Sequence, residues 1–540
     1  MAGWDWIVLV AYLTGLVGMS ACFWRRQSDA RDYYLAGNRT GPLPIALSTM
    51  ATQCSTNSLL GAPAFVGFAA GGGLLWLQYE LAVPLAMIVL IAVFFPLFRR
   101  LRLISVYGYL EARFDRRTRV ILSILFQVLR AFATGVTVYG VSLVLMLVLG
   151  VEFWVAVLLL GAVTVGYDLL GGMRAVIWSD VIQLVVLTGA IVISAIMAIV
   201  LSGGWETVWA FTDPDRMRGL DWRRHGLGDG HDYALWPMLI GGVFLYVAYY
   251  GCDQTQAQRE LSTRSVNDTS RALFFDGILR FPLVAAYCFL GICLAAYAAS
   301  HPDFLRSEYL LVDGAVNYNR AVPAFVVEHF PVGLVGLVIA GLFAAAMSSL
   351  DSTINALSAL SMEDVVKQLR RRPMSARAEL IASKGLTLFW GAVCLAFAFQ
   401  VDAVAETVIE AVNKISSLLN GPLLAVFAMG VLTRRVNGAG AVSGLLTGFG
   451  GNLLVMWLLP GVSWLWWNVT GFLIAWFVGW TVSLLTAPPP REKIALTLWE
   501  TEPIVERRER LRRWRLPMAV LAAYAIGLIC LLGVLNLLAG

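Results

Sequence analysis

Apolar runs of about 20 residues, each long enough for a helix to cross a bilayer, alternate with short polar stretches from one end of the chain to the other. They predict fourteen spans: 4–24, 43–70, 73–97, 119–149, 153–170, 178–201, 235–257, 272–299, 332–360, 381–400, 404–432, 438–458, 463–486 and 516–538. Very short turns join 43–70 to 73–97 and 119–149 to 153–170, which predicts helical hairpins. Ser105 to Phe114 reads as a short amphipathic helix at the membrane surface. No polar gap approaches the ~50 residues of a small soluble domain. The fold class is therefore an all-α polytopic membrane protein.

Two spans break the apolar pattern. The centre of 43–70 reads S-T-M-A-T-Q-C-S-T-N-S, and the end of 235–257 reads Y-Y-G-C-D-Q-T-Q. Each opens a set of five spans, 43–201 and 235–432. Five is odd, so the second set runs inverted to the first. That is the plan of inverted-repeat transporters, whose binding site lies at the midplane beside interrupted helices. The expected organisation is an extra span and loop (1–42), the first repeat (43–201), an outer loop (202–234), the inverted repeat (235–432), and three further spans (433–540) that include a basic segment, 487–515.

A third stretch, Ala340 to Asp364, is apolar enough for a bilayer yet carries Ser348, Ser349, Asp351, Ser352 and Asn355 in its middle. At 100° per residue, Ala345, Ser348, Ser349, Ser352 and Ala359 share one stripe, with Asn355 at its edge. Small residues let a neighbouring backbone approach closely. Hydroxyls joined by that neighbour's carbonyls would suit a hard cation. On residue chemistry alone, a packing seam and a cation-ligand face both fit.

Composition agrees with the pattern: 59 % of the 540 residues are hydrophobic and 14 % charged. The net charge of +5 calls for no nucleic-acid partner, because the basic residues follow topology. Of 40 Lys and Arg, 30 fall in alternate loops, including eight in 487–515 and three (Arg259, Arg264, Arg271) in 258–271. The positive-inside rule then places both termini outside a plasma (cytoplasmic) membrane. Arg130, Arg280 and Lys414 lie deep in spans, as do Glu80, Asp253, Asp276 and Asp351, and each is costly there unless paired or functional. The cysteines lie in apolar spans, against a disulfide framework. The histidines lie in polar loops, against haem ligation or a histidine proton relay within the spans. No G-x-x-x-x-G-K-[ST] loop, potassium-channel filter or catalytic cluster is present, against a pump, such a channel or an enzyme.

The stretches Y-Y-L-A-G-N-R (33–39), G-G-M-R-A-V-I-W-S-D-V-I-Q (171–183), D-Q-T-Q-A-Q-R (253–259), M-S-S-L-D-S-T-I-N (347–355) and N-G-P-L-L-A-V-F-A-M-G-V-L-T-R-R-V-N-G-A-G-A (420–441) resemble the sodium/solute symporter family, in order and in spacing. The resemblance implies the five-plus-five inverted-repeat core of leucine-transporter type, with one span before it and three after, and sodium as the coupling ion. Carried over by position, the sodium ligands are the carbonyls of Ala51, Cys54 and Ala345 and the hydroxyls of Ser348 and Ser349. A second sodium or coupling site matches Asp180, Ser349 and Ser352; a carboxylate set at a helix N-terminus is the other reading of Asp180. For the solute, Glu80 matches a glutamate of the sugar cotransporters and Arg280 stands where they have lysine. Asp253 sits at the second break after Tyr249 and Tyr250, and Asn413 stands where they have glutamine. Arg130 matches a carboxylate-binding arginine of the sialic acid symporters. Gln53 and Ser58 of the first break complete the candidate substrate contacts. Glu80 is expected to pair with Arg280, which leaves Arg130 without an assigned acidic partner and tilts the reading towards an anionic solute.

The function implied is sodium-coupled import of a small polar solute (a sugar, a sialic acid or a monocarboxylate) by alternating access. The partners implied are the solute and the lipid bilayer, with no protein partner required. A proton-coupled transporter using Asp180 or Asp351, and a sensor built on a transporter fold, are the alternatives.

Overall fold

The computed structural model describes residues 2–24, 27–54, 57–312, 315–370, 372–400 and 408–539. Among them, eleven helices are long and apolar enough to cross a membrane, and two shorter apolar helices, Ser58–Phe68 and Pro237–Gly251, accompany them. A two-residue antiparallel strand pair, Leu311–Val312 with Ala315–Val316, lies in the loop before the serine-rich helix. That helix, Leu334–Leu360, is at the centre. In an apolar 18-residue stretch of it 83 % of the residues are buried, against 22 % for the like stretches of Gly3–Trp24 and Ile504–Leu537 at the rim. Asp5 fastens the N-terminal helix to it, its Oδ1 accepting from the backbone N–H of Gly333 (2.6 Å) and Gly336 (3.0 Å).

Both expected breaks are present. Pro42–Gln53 ends where Cys54 leaves helical geometry (ψ 69°), and helix resumes after Asn57. Hydroxyl and amide side chains compete for backbone hydrogen bonds, so this polar centre favours the interruption. The second helix ends at Gly251. Asp253 turns extended there and caps the next arm, Gln254–Leu261, by accepting from Thr255 N at 2.7 Å.

Three readings need correction. The predicted turn 171–177 is helical except at one residue, so Phe153–Leu201 runs as two arms joined at Gly172 (φ 55°, ψ −153°). Only glycine adopts that conformation readily, and a Cβ there would stand 2.6 Å from the Tyr33 carbonyl oxygen. Gly172→Ala is expected to destabilise by about 1–3 kcal/mol, read as a lower apparent unfolding temperature of the purified protein. The predicted surface helix forms as Tyr107–Arg113 but is packed inward. Its Arg113 donates to the carbonyls of Gly430 (3.0 Å) and Thr433 (2.7 Å) at a helix C-terminus, where a cation is favourable. The start of the predicted loop 258–271 belongs to the arm Gln254–Leu261, every residue of which is buried. Polar side chains are tolerated inside because neighbouring helices supply their hydrogen bonds.

Candidate functional site

The serine helix meets the first break. Ser348 Oγ lies 3.1 Å from the Ala51 carbonyl oxygen and 3.2 Å from that of Ala345. Ser349 Oγ donates to the carbonyl of Thr52 at 3.1 Å. Three of the positions expected to bind sodium, Ala51, Ala345 and Ser348, are thus brought together. Ser349 is close by, with the Thr52 carbonyl rather than that of Cys54 against it. The Cys54 thiol accepts from Arg280 Nη1 at 3.1 Å. Thr52 was missed because the family pattern marks its neighbours, and an unremarkable residue can contribute a carbonyl.

Asp180 and Ser352 are also close, but around Arg259. This guanidinium, counted as a loop charge in the sequence, is fully buried. It donates to Asp180 Oδ2 at 2.8 Å, to Ser48 Oγ at 2.7 Å, to Ser352 Oγ and to the Thr255 carbonyl. Ser48 donates to the same carboxylate oxygen at 2.6 Å, and Ser352 shares a 2.9 Å hydrogen bond with Thr52. Asp180 is therefore the partner of a buried cation, not a carboxylate set at a helix start. Ser349 stands apart from this cluster, on the Thr52 carbonyl. The sequence signal for Arg259 was its place in D-Q-T-Q-A-Q-R, a polar run too short to be a loop of its own.

Beyond the breaks is a cavity of about 1030 Å³ lined by Thr52, Gln53, Ser58, Glu80, Arg130, Tyr249, Asp253, Arg280 and Ser349, and reaching the 315–320 segment. Glu80 pairs with Arg280 at 3.1 Å, as expected. Arg130 does have an acidic partner. Its Nη1 lies 3.5 Å from Asp253 Oδ2, and its Nη2 donates to Thr255 Oγ1 at 3.3 Å. The expectation of an unpaired arginine fails because the second break brings Asp253 to a helix remote in sequence. The pair is loose: Arg130 is 17 % exposed and its Nε has no hydrogen-bond partner among the described residues. Tyr250 is buried behind the lining, its hydroxyl donating to Gln53 Oε1. The side chain of Asn413 lies outside the described residues.

Apart from Tyr249, the aromatic lining was missed. Trp76, Tyr79, Tyr246 and Tyr287 face the cavity, with Tyr246 donating to Glu80 at 3.2 Å. The Trp76–Tyr79 spacing, just before Glu80, was the available signal. At the end of the cavity near the 315–320 segment, Phe68 and Tyr318 stack at 4.8 Å. At the opposite end, buried side-chain bonds shut the bundle, among them Gln258 to Asn355 (2.8 Å) and Arg119 to Asp364 (2.7 Å).

The model of the sodium:solute symporter family matches residues 33–448. The chain belongs to that family. It is a multi-pass membrane protein and a sodium-coupled symporter, and its relatives are transporters rather than enzymes. It is 30 % identical to the human sodium-coupled monocarboxylate transporter 1 over 467 residues, covering 84 % of this chain and 73 % of that one. It is 28 % identical to the sodium/sialic acid symporter of Aliivibrio fischeri, with 90 % and 93 % covered. The solved structure of a Na⁺-coupled sialic acid symporter, substrate-bound and outward-open, superposes with a TM-score of 0.80 at 25 % identity, over 90 % of this chain and 99 % of that one. The symporter's helices therefore follow that transporter's fold.

Proposed function

We propose that the symporter imports a small carboxylate-bearing solute with sodium, by alternating access. Sodium binds between the first break and the serine helix, on the carbonyls of Ala51 and Ala345 and the hydroxyls of Ser348 and Ser349. The observation that carries this is the placement of Ser348 Oγ beside two carbonyl oxygens. A hydroxyl has one proton and cannot donate fully to both. A hard cation among the three oxygens relieves that crowding and takes the ligands it prefers.

The solute occupies the cavity, with its carboxylate on Arg130. Glu80 and Arg280 hold each other, so they orient polar groups without adding net charge. Arg130 keeps an unused N–H and a loose contact with Asp253, and its planar fork suits a carboxylate. The names of two relatives, a monocarboxylate transporter and a sialic acid symporter, agree with this choice. The cavity reaches the 315–320 segment while the other end is shut, which supports an outward-facing arrangement.

The membrane plan we propose has fourteen crossings. The eleven long helices supply most, the two arms of Phe153–Leu201 count separately, and each broken helix crosses once. Residues 43–201 and 235–432 form the inverted five-helix repeats, with one span before them and three after. Both termini lie outside the plasma membrane, by the distribution of basic loops.

Vesicles reconstituted with the protein test the reading. Labelled lactate and N-acetylneuraminate are compared with glucose, with and without an inward sodium gradient. Sodium-stimulated uptake of an acid is expected. Arg130→Gln and Arg130→Lys should each lower it by about tenfold or more, the ~1.5–3 kcal/mol of a charge-assisted hydrogen bond, because lysine keeps the charge and loses the fork. Glucose uptake driven by sodium and indifferent to both changes would overturn the carboxylate assignment.

A further inference from the structure

The last helix, Ile504–Ala539, starts in the basic segment and continues into the final span. At 100° per residue, Arg508, Arg512 and Arg515 form one stripe. The same stripe runs on into the span through Ala523, Ile526 and Cys530. Those span positions are exposed, Ile526 by 62 %, so this face of the helix meets lipid and not the bundle. The three arginines are exposed too, and no ion pair or hydrogen bond engages any of them among the described residues. The opposite side of the helix differs. Arg510 is held there by Glu502 at 2.8 Å and by the Ile91 carbonyl at 3.1 Å.

We propose that Arg508, Arg512 and Arg515 form a docking surface for anionic phospholipid headgroups around the final span. At 1.5 Å per residue, Arg515 stands about 6 Å before Ala519, the first exposed small residue of the span, and Arg508 about 16 Å before it. The headgroup layer of a leaflet is roughly 5–8 Å deep, so Arg515 lies within that layer and Arg512 and Arg508 continue beyond its outer edge, where long arginine side chains reach back to the phosphates. Guanidinium forks match phosphate oxygens, and a basic cluster at the end of a span attracts anionic lipid. Leu516, 74 % exposed beside the stripe, adds an apolar foot at the same depth. The orientation proposed above only names the leaflet, the cytoplasmic one. The surface follows from the helix face alone.

The full-length protein is reconstituted in phosphatidylcholine bilayers with traces of spin-labelled phosphatidylglycerol or phosphatidylcholine, and the share of each label immobilised by the protein is measured. The parent should prefer phosphatidylglycerol, and added sodium chloride should weaken the preference by screening. The triple variant Arg508→Gln/Arg512→Gln/Arg515→Gln should lower the relative affinity about fivefold or more, one arginine's worth at a charged surface (~1 kcal/mol) being already fivefold. The triple lysine variant should retain most of it. No preference in the parent, or an undiminished one in the glutamine variant, overturns the proposal. Displacement of the label by inorganic phosphate, at an ionic strength where chloride has no effect, would assign the surface to soluble phosphate and overturn it as well.

Discussion

Ser348→Ala and Ser349→Ala should each raise the sodium concentration needed for half-maximal uptake by about 10- to 100-fold, and the double replacement should leave no sodium-dependent uptake. In the proposed site, each change removes one hard oxygen from a cation that has left its water shell. Interactions with a charged partner contribute about 1.5–3 kcal/mol apiece, which corresponds to that range. Alanine removes little volume, so the seam between the helices should persist and the loss is one of ligands. Ser348→Cys is the sharper control: sulfur fills the space but is a soft donor and should not rescue sodium activation. The measurement is a sodium titration of uptake at saturating solute, alongside the shift in unfolding temperature that sodium confers on the purified protein. Parent-like titrations in both alanine variants would move the sodium site elsewhere.

Arg259→Gln should cost about 3–5 kcal/mol of stability, because it leaves the Asp180 carboxylate buried without a countercharge. Asp180 and Arg259 are both fully enclosed, so water cannot make up the loss. Adding Asp180→Asn should restore most of the stability, since two neutral amides impose no uncompensated charge. Arg259→Lys should fall between: it keeps the charge but not the fork, and cannot reach Ser48, Asp180, Ser352 and the Thr255 carbonyl together. Apparent unfolding temperatures of the four proteins decide it. If Arg259→Gln unfolds like the Arg259→Gln/Asp180→Asn double variant, the two groups are not coupled.

The same cluster has a mechanical consequence. Ser352 bonds both to Arg259 and to Thr52, whose carbonyl receives Ser349. Serine helix, first break and second break therefore meet through one short chain of contacts.

Much of this was legible in the residues. Apolar run lengths reveal the spans because a bilayer demands a fixed length of helix. The two breaks show because serine, threonine, glutamine, glycine and aspartate crowd into otherwise apolar runs. The serine stripe shows because helical periodicity alone puts those hydroxyls on one face, while the Glu80–Arg280 pair was implied by the family resemblance, a charge in a bilayer requiring only that some partner exist. The misreadings have a common cause. Arg259 looks like loop by local polarity and Arg113 like the end of a surface helix, yet both lie where neighbouring helices satisfy their polar groups, and 171–177 looks like a break because of its glycine pair.

What the sequence determined by itself is therefore what the bilayer and helical period set, an all-helical membrane protein, two interrupted helices and a hydroxyl face, together with the symporter family that its motifs resemble. What only the tertiary structure decided is which groups meet. Ala51 and Ser348 are 297 positions apart. Nothing near either residue says that Thr52 stands against Ser349, that Arg130 meets Asp253, or that Arg259 takes Asp180. Burial of a charge makes some partner obligatory, but the choice of partner depends on how the broken helices pack.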